Sequence, residues 1–187
     1  MINVGINGFG RIGRLILRAL LENYKDKIRV VAINDLGSIE ANAHLIKYDS
    51  THGTLPYDVE TSKDGFKILN QNIKVFAERD PANLPWGKVG ADVVLECTGL
   101  FLDKTSAEKH IKAGAKKVII SAPAKDVDFT IVQGVNSKDL TKDHNVISNG
   151  SCTTNCLAPV AMVLEKNFGI EYGYMTTIHS YTGDQKL

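Results

Sequence analysis

Apolar positions along this chain fall into short runs that alternate with segments of helical period, the pattern of strands separated by helices. Ile2-Asn3-Val4-Gly5-Ile6-Asn7 reads as a first buried strand, and the stretch from Arg11 to about Leu21 as an amphipathic helix. Ile28 to Ile33 reads as the second strand, and a helix opened by Ser38 follows it. Tyr48-Asp49-Ser50-Thr51-His52-Gly53 has turn-forming residues and no period, so it reads as loop. Val59 to Phe76 alternates around Asp64-Gly65 and Asn70-Gln71-Asn72, which predicts a small antiparallel excursion closed by Pro81 and Pro85. Strands are expected at Ala91–Cys97, Val118–Ile120, Thr130–Val132 and Val146–Ser148, with a helix from about Thr105 to Ala113 stopped by Gly114. A last helix begins near Cys152, capped by Ser151, and ends at Gly169. Pro159 lies inside it and denies the Asn155 carbonyl its helical donor, so a kink or a freed acceptor is expected there. From Ile170 to Ile178 the alternation is strand-like. Strand and helix in alternation predict an α/β fold, doubly wound on a mainly parallel sheet.

Two segments add chemistry to this frame. The first strand runs directly into Gly8-Phe9-Gly10-Arg11-Ile12-Gly13, a GxGxxG placed between strand and helix as dinucleotide binding requires. Gly8 permits the tight turn, Gly10 lets backbone approach a pyrophosphate, and Gly13 lets helix and strand pack closely. The second strand ends in Asn34-Asp35, and the distance from Gly13 to Asp35 fits the spacing of about 20 residues expected of an acid bonded to the adenosine ribose. A carboxylate there repels a 2′-phosphate, which favours NAD over NADP. Ligands of such sheets bind at the carboxyl ends of strands, so Thr98, Gly99 and Ser121 are further cofactor-side candidates.

The second segment is Asn149-Gly150-Ser151-Cys152-Thr153-Thr154-Asn155-Cys156. It sets a thiol at a helix N-terminus, where unpaired N–H groups and the macrodipole favour the thiolate. His179, at the end of the strand-like stretch, is the candidate base for Cys152. Cys156, one turn further from the helix terminus, reads as a buried neighbour.

Composition narrows the partners. The chain has 187 residues, 43% apolar and 23% charged, with a formal charge of +1. That balance gives no electrostatic reason to expect nucleic acid or an anionic membrane. No run approaches the length of a spanning helix, and the first residues enter a strand directly, so a cytoplasmic protein without a signal peptide is expected. Three cysteines suit free thiols in a reducing compartment, and His44, His52, His110 and His144 show no metal-ligand spacing, so no metal is expected.

The strings Gly5-Ile6-Asn7-Gly8-Phe9-Gly10-Arg11-Ile12-Gly13-Arg14, Asn34-Asp35-Leu36, Tyr48 to Gly53, Ser121-Ala122-Pro123, Ser151 to Pro159 and His179-Ser180-Tyr181-Thr182 together resemble phosphorylating glyceraldehyde-3-phosphate dehydrogenase over essentially the whole chain. The resemblance implies a Rossmann NAD domain at 1–150 and the start of an α+β catalytic domain at 151–187, the remainder of that domain lying outside this sequence. It implies a homotetrameric enzyme of glycolysis that oxidises glyceraldehyde 3-phosphate with NAD and inorganic phosphate. Cys152 matches the family nucleophile and His179 its base. Ser151 and Thr153 match ligands of inorganic phosphate, and Thr182 with Asp184 the site of the substrate phosphate. Arg11 and Ile12 match the pyrophosphate turn, Asp35 the ribose acid, Arg79 the adenine-side arginine, and Thr98 and Ser121 later strand ends. Cys97 stands where the family usually has serine. The rest of the family's catalytic domain includes a phosphate-binding arginine, so no turnover is expected from these 187 residues alone. An NAD-binding or assembly module without turnover, and the related erythrose-4-phosphate dehydrogenase, are the alternatives.

Overall fold

The structure, a computed structural model, describes residues 1–180. Its elements are β1 (Ile2–Asn7), α1 (Arg11–Asn23), β2 (Ile28–Asn34), α2 (Ile39–Lys47), β3 (Tyr48–Asp49), β4 (Gly53–Thr54), β5 (Val59–Ser62), β6 (Gly65–Ile68), β7 (Gln71–Phe76), α3 (Trp86–Val89), β8 (Val93–Glu96), α4 (Lys104–Lys112), β9 (Lys117–Ile120), β10 (Phe129–Thr130), β11 (Val146–Ser148) and α5 (Cys152–Phe168). Among the described residues, nine strands form one sheet in the order β10-β11-β9-β8-β1-β2-β7-β6-β5. Every pairing from β10 to β7 is parallel, while β7, β6 and β5 form an antiparallel meander at one edge. This is the expected Rossmann-type α/β sheet. The predicted excursion at Val59–Phe76 is continuous with it, because its last strand docks parallel on β2.

The parallel strands are buried from both sides, which explains why they read as nearly unbroken apolar runs. On one face Val4, Ile6, Val30 and Ile33 pack against Leu17 and Leu21 of α1 and Ile46 of α2. On the other, Ala32 and Val94 pack around the fully buried Trp86. A smaller cluster of Ala107, Val118, Ile120 and Val146 closes the β9 end. No helix among the described residues is long and apolar enough to cross a membrane.

Strand order reverses between β1 and β8, making their carboxyl ends the topological switch point where such sheets hold ligands. The turns after β1, β2, β7, β8, β9 and β11 share this edge because the strands are parallel. They carry Gly8, Asp35, Arg79, Thr98, Ser121 and Cys152 respectively.

Three local expectations are corrected. Tyr48–Gly53 is not plain loop, since β3 and β4 form a short antiparallel ladder. Asp49 closes its turn by accepting the Thr51 and His52 N–H groups at 2.9 and 2.8 Å, an Asx-type arrangement that needs no apolar period. The alternating stretch Ile170–Ile178 forms no strand. Alternation fixes which side chains share a face but supplies no hydrogen-bonding partner, and none of the described strands pairs with it. The strand expected at Thr130–Val132 is shorter and earlier, at Phe129–Thr130.

Candidate active site

The phosphate turn is built by contact between backbones. Gly8 has a φ of +89°, and a Cβ there would lie 2.7 Å from the Thr98 nitrogen, so the turns after β1 and β8 touch. A Cβ on Gly13 would lie 2.2 Å from the Gly8 carbonyl oxygen. Gly10 is different. Its φ of −69° suits any residue, and a Cβ there would meet no protein atom within 4 Å. Packing against the protein does not require a glycine at that point. Gly10 supplies no side-chain cap to α1, and the first turn of that helix holds no acid. Its leading N–H groups, at Arg11, Ile12 and Gly13, are therefore available to an anion.

Asp35 is anchored beside this turn. Its Oδ2 accepts the Phe9 N–H and its Oδ1 the Gly37 N–H, both at 2.9 Å. Each oxygen keeps a lone pair for a further donor such as a ribose hydroxyl. The Arg11 side chain donates to Asp49 at 2.7 Å, which clips the β3–β4 hairpin to the same turn. Asp49 is held well below the usual carboxylate range, first by the His52 and Thr51 N–H groups and then by Arg11. Arg79 is exposed in the turn after β7, where Asn34 holds the Glu78 backbone through two bonds of 2.8 Å.

Thr98 and Ser121 end the next strands. Thr98 gives both its N–H, at 2.8 Å, and its hydroxyl to Glu96, while Ser121 hydrogen-bonds the Cys97 thiol. Burial, reinforced by the Glu96 charge, pushes that thiol up to about 12 despite the Ser121 bond. Cys97 is inert as a nucleophile at neutral pH. Asn7, Asn34, Glu96, Trp86 and His110, which join beneath these turns, escape a reading by motif. The signal they do leave is a polar residue closing an apolar strand: Asn7, Asn34 and Glu96 end β1, β2 and β8.

After β11 the chain turns through Asn149-Gly150 into α5. Ser148 Oγ accepts the Gly150 N–H at 3.0 Å and donates to the Ala122 carbonyl at 2.7 Å. Asn155 reaches back to the carbonyls of Asn149 and Ser151 at 2.7 and 3.0 Å. Ser151 is the N-cap, its Oγ accepting the Thr154 N–H at 2.9 Å. Ser151→Ala is expected to cost about 1 kcal/mol, a drop of about 2–4 °C in melting temperature for a domain of this size. An unchanged melting curve would remove the cap from the account.

Cys152 is thus the first residue of α5, and it is exposed. Its Sγ lies 3.2 Å from His179 Nε2. The other ring nitrogen, Nδ1, is 2.5 Å from the Ser180 carbonyl, which can only accept. A neutral His179 therefore carries its proton on Nδ1 and turns the Nε2 lone pair towards the thiol. The Cys152 thiol is held below its ordinary value, chiefly by the His179 bond, against a desolvation cost and with help from the Thr153 hydroxyl and N–H. A pocket of about 440 Å³ opens on the sulfur, lined by Thr153, Cys156, Leu157, Val160 and Met175–His179. Cys156 is exposed there, contrary to the expected burial, because α5 buries none of its residues against the rest of the described fold. Thr182 and Asp184 lie outside the described residues.

Residues 2–104 match the model of the glyceraldehyde 3-phosphate dehydrogenase NAD binding domain, and residues 151–187 that of the same family's C-terminal domain. The chain belongs to the glyceraldehyde 3-phosphate dehydrogenase family. It is 56% identical over 187 residues to the glyceraldehyde-3-phosphate dehydrogenase of Pseudomonas aeruginosa, covering 100% of this chain and 56% of that protein. For the glyceraldehyde-3-phosphate dehydrogenase of Streptomyces coelicolor the identity is 57%, with 100% of this chain and 55% of that protein covered. For the Zymomonas mobilis glyceraldehyde-3-phosphate dehydrogenase it is 57%, with 100% and 56% covered. The chain spans about half the length of the curated relatives it matches. The glyceraldehyde 3-phosphate dehydrogenase NAD model thus coincides with the GxGxxG turn, Asp35 and Thr98, and the C-terminal model begins at the cap of α5.

Proposed function

We propose that residues 1–150 hold NAD and that 151–187 begin the catalytic domain of a phosphorylating glyceraldehyde-3-phosphate dehydrogenase of glycolysis, a cytoplasmic homotetramer. The observation that carries this reading is Cys152 Sγ at 3.2 Å from His179 Nε2 at the first residue of α5. His179 Nε2 takes the thiol proton, and the thiolate adds to the aldehyde carbon of glyceraldehyde 3-phosphate to give a hemithioacetal. NAD, when bound, supplies the acceptor for the hydride that leaves this carbon. His179, having returned the thiol proton to the new hydroxyl, takes it again as the hydride leaves, and the product is a Cys152 thioester. Inorganic phosphate attacks it, the C–S bond breaks, and 1,3-bisphosphoglycerate departs as the thiolate returns.

In this reading the α1 N–H groups of Arg11 and Ile12 hold the pyrophosphate, with Gly8, Gly10 and Gly13 shaping the turn. Asp35 takes the ribose hydroxyls, Arg79 flanks the adenine, and Thr98 and Ser121 border the cleft. Ser151 and Thr153 hold inorganic phosphate, and Thr182 with Asp184 the substrate phosphate.

The test combines an NAD titration of this chain with NADH formation from NAD, glyceraldehyde 3-phosphate and phosphate, using Cys152→Ser as control. NADH formation lost in the control supports the whole reading. NAD binding without NADH limits this chain to the cofactor-holding part of the reaction, and absence of NAD binding sinks it. Asp35→Ala is expected to lower the ratio of NAD to NADP affinity by about tenfold or more, since a charge-assisted bond is removed together with the repulsion of a 2′-phosphate. An unchanged ratio by calorimetry counts against Asp35 as the discriminating group.

A further inference from the structure

Beneath the cofactor edge runs a chain of buried polar side chains that the proposed reaction does not use. Sheet register creates it. Asn7 of β1 lies opposite Asn34 of β2 on one side and Glu96 of β8 on the other. These three residues and His110 are all at most 5% exposed, and Trp86 is fully buried. Asn34 Nδ2 donates to Asn7 Oδ1 at 2.7 Å, and Asn7 Nδ2 donates to Glu96 Oε2 at 2.6 Å. His110 Nε2 lies 2.9 Å from the same Glu96 oxygen, and Trp86 Nε1 lies 2.9 Å from His110 Nδ1.

An indole N–H can only donate, so His110 Nδ1 accepts. The proton of a neutral His110 is then on Nε2 and is donated to Glu96. The other oxygen, Oε1, accepts the Thr98 N–H at 2.8 Å and the Thr98 hydroxyl. A carboxylate has about four acceptor positions, and here all the surrounding groups are donors. The Thr98 hydroxyl, its hydrogen given to Glu96, accepts the Leu100 N–H at 3.1 Å. One side chain thereby sets the turn after β8, against which Gly8 of the phosphate turn is packed.

We propose that Glu96 and His110 are positioning residues of the NAD cleft, with His110, held in one tautomer by Trp86, orienting Glu96, and Glu96 fixing the Thr98 turn beside the phosphate turn. The proposal rests on the NAD reading given above. Neither side chain needs to touch the cofactor, because each acts through backbone and side-chain atoms that border it. In a buried network of this kind, removing one member leaves its partners unpaired rather than returning them to water. Glu96→Gln sets an NH₂ group against donors whichever way the amide is turned. His110→Leu approximates the volume but supplies neither donor nor acceptor. His110→Gln supplies one of each and is the conservative rescue.

The experiment titrates the chain and its variants with NAD by calorimetry. Melting curves and the NMR signal of the indole N–H of Trp86, the one tryptophan of the sequence, are followed alongside. Glu96→Gln and His110→Leu are expected to weaken NAD binding by about tenfold or more, and His110→Gln to recover most of the loss. In a Thr98→Val background, where the hydroxyl has gone, the effect of Glu96→Gln on NAD affinity should shrink, because the two residues are hydrogen-bonded to each other. The indole signal should move in His110→Leu and return in His110→Gln, whether or not NAD is present. Should His110→Leu fail to fold, the Glu96–Thr98 cycle and the His110→Gln titration carry the test. A folded His110→Leu with unchanged NAD affinity, or strict additivity of Glu96→Gln with Thr98→Val, overturns the proposal. Failure of the unaltered chain to bind NAD removes the functional reading, and the inference with it, while the indole signal still reports whether the network forms.

Discussion

Gly13→Ala is expected to destabilise the chain by about 3 kcal/mol or more, the upper range for overpacking a tight contact, and to abolish NAD binding. The added methyl would sit 2.2 Å from the Gly8 carbonyl oxygen and 3.1 Å from Ile6 Cγ2. The first contact is with backbone, so no rotamer change relieves it. Relief requires α1 to move away from β1, and that movement strips the α1 N–H groups from the position of the pyrophosphate. For a domain of this size the loss corresponds to a melting temperature lower by about 6–12 °C. Gly10→Ala separates the two effects. With φ at −69° and no protein atom within 4 Å of the new methyl, stability should change by no more than about 0.5 kcal/mol. The methyl nevertheless occupies the open side of the phosphate turn, so NAD affinity should fall while the melting curve holds. Urea or thermal unfolding beside an NAD titration reads both variants. Near-native stability in Gly13→Ala would contradict the packing account, and unweakened NAD binding in Gly10→Ala would contradict the assignment of the open side to a ligand.

That contrast marks what a sequence can convey. GxGxxG assigns Gly13 to close packing and Gly10 to close approach of a ligand by position alone. The coordinates add the distances: a Cβ on Gly13 would meet backbone at 2.2 Å, and one on Gly10 would meet nothing within 4 Å. Strands β1, β2, β8 and β11 were legible because burial on both faces leaves continuous apolar runs with polar ends. Helix α5 was legible to its boundaries because Ser151 caps it and Gly169 stops it. Cys152 and His179 were legible as a pair because a thiol at a helix start and a histidine at a segment end have a chemical reason to meet. The strand expected at Ile170–Ile178 failed for a different reason, since alternation is a property of one segment and a ladder belongs to two. The burial expected for Cys156 failed in the same way, because it depends on what packs over α5. The network of Asn7, Asn34, Glu96, His110 and Trp86 required strand order and register, which place residues far apart in sequence side by side. The order in which strands pair, unlike their existence, is not written in local period.

The reactivity of the thiols provides the second large effect. Cys152 is expected to react with iodoacetamide far faster than buried Cys97, and Cys152→Ser should remove this fastest phase and leave the slower reaction of the exposed Cys156. Cys97 is buried with its thiol pushed up to about 12, so its thiolate is negligible at neutral pH. The sign for Cys152 is opposite. Its thiol is held below the ordinary value, chiefly by the His179 bond, so the thiolate persists as pH falls into a range where an ordinary thiol is already protonated. The rate–pH profile should therefore have its midpoint below that of a free cysteine peptide. His179→Ala removes the principal cause, and the midpoint should rise towards the ordinary value. At neutral pH the fast phase should slow by about 10²-fold, the lower end of what a positioned base contributes. Ser151→Ala makes a sharp control, because it disturbs the same helix terminus while leaving the imidazole in place. If the cap variant shifted the profile as far as His179→Ala, the helix terminus and not the base would be the source of activation. A histidine-dependent shift with little effect of the cap assigns the activation to the 3.2 Å contact between Cys152 Sγ and His179 Nε2.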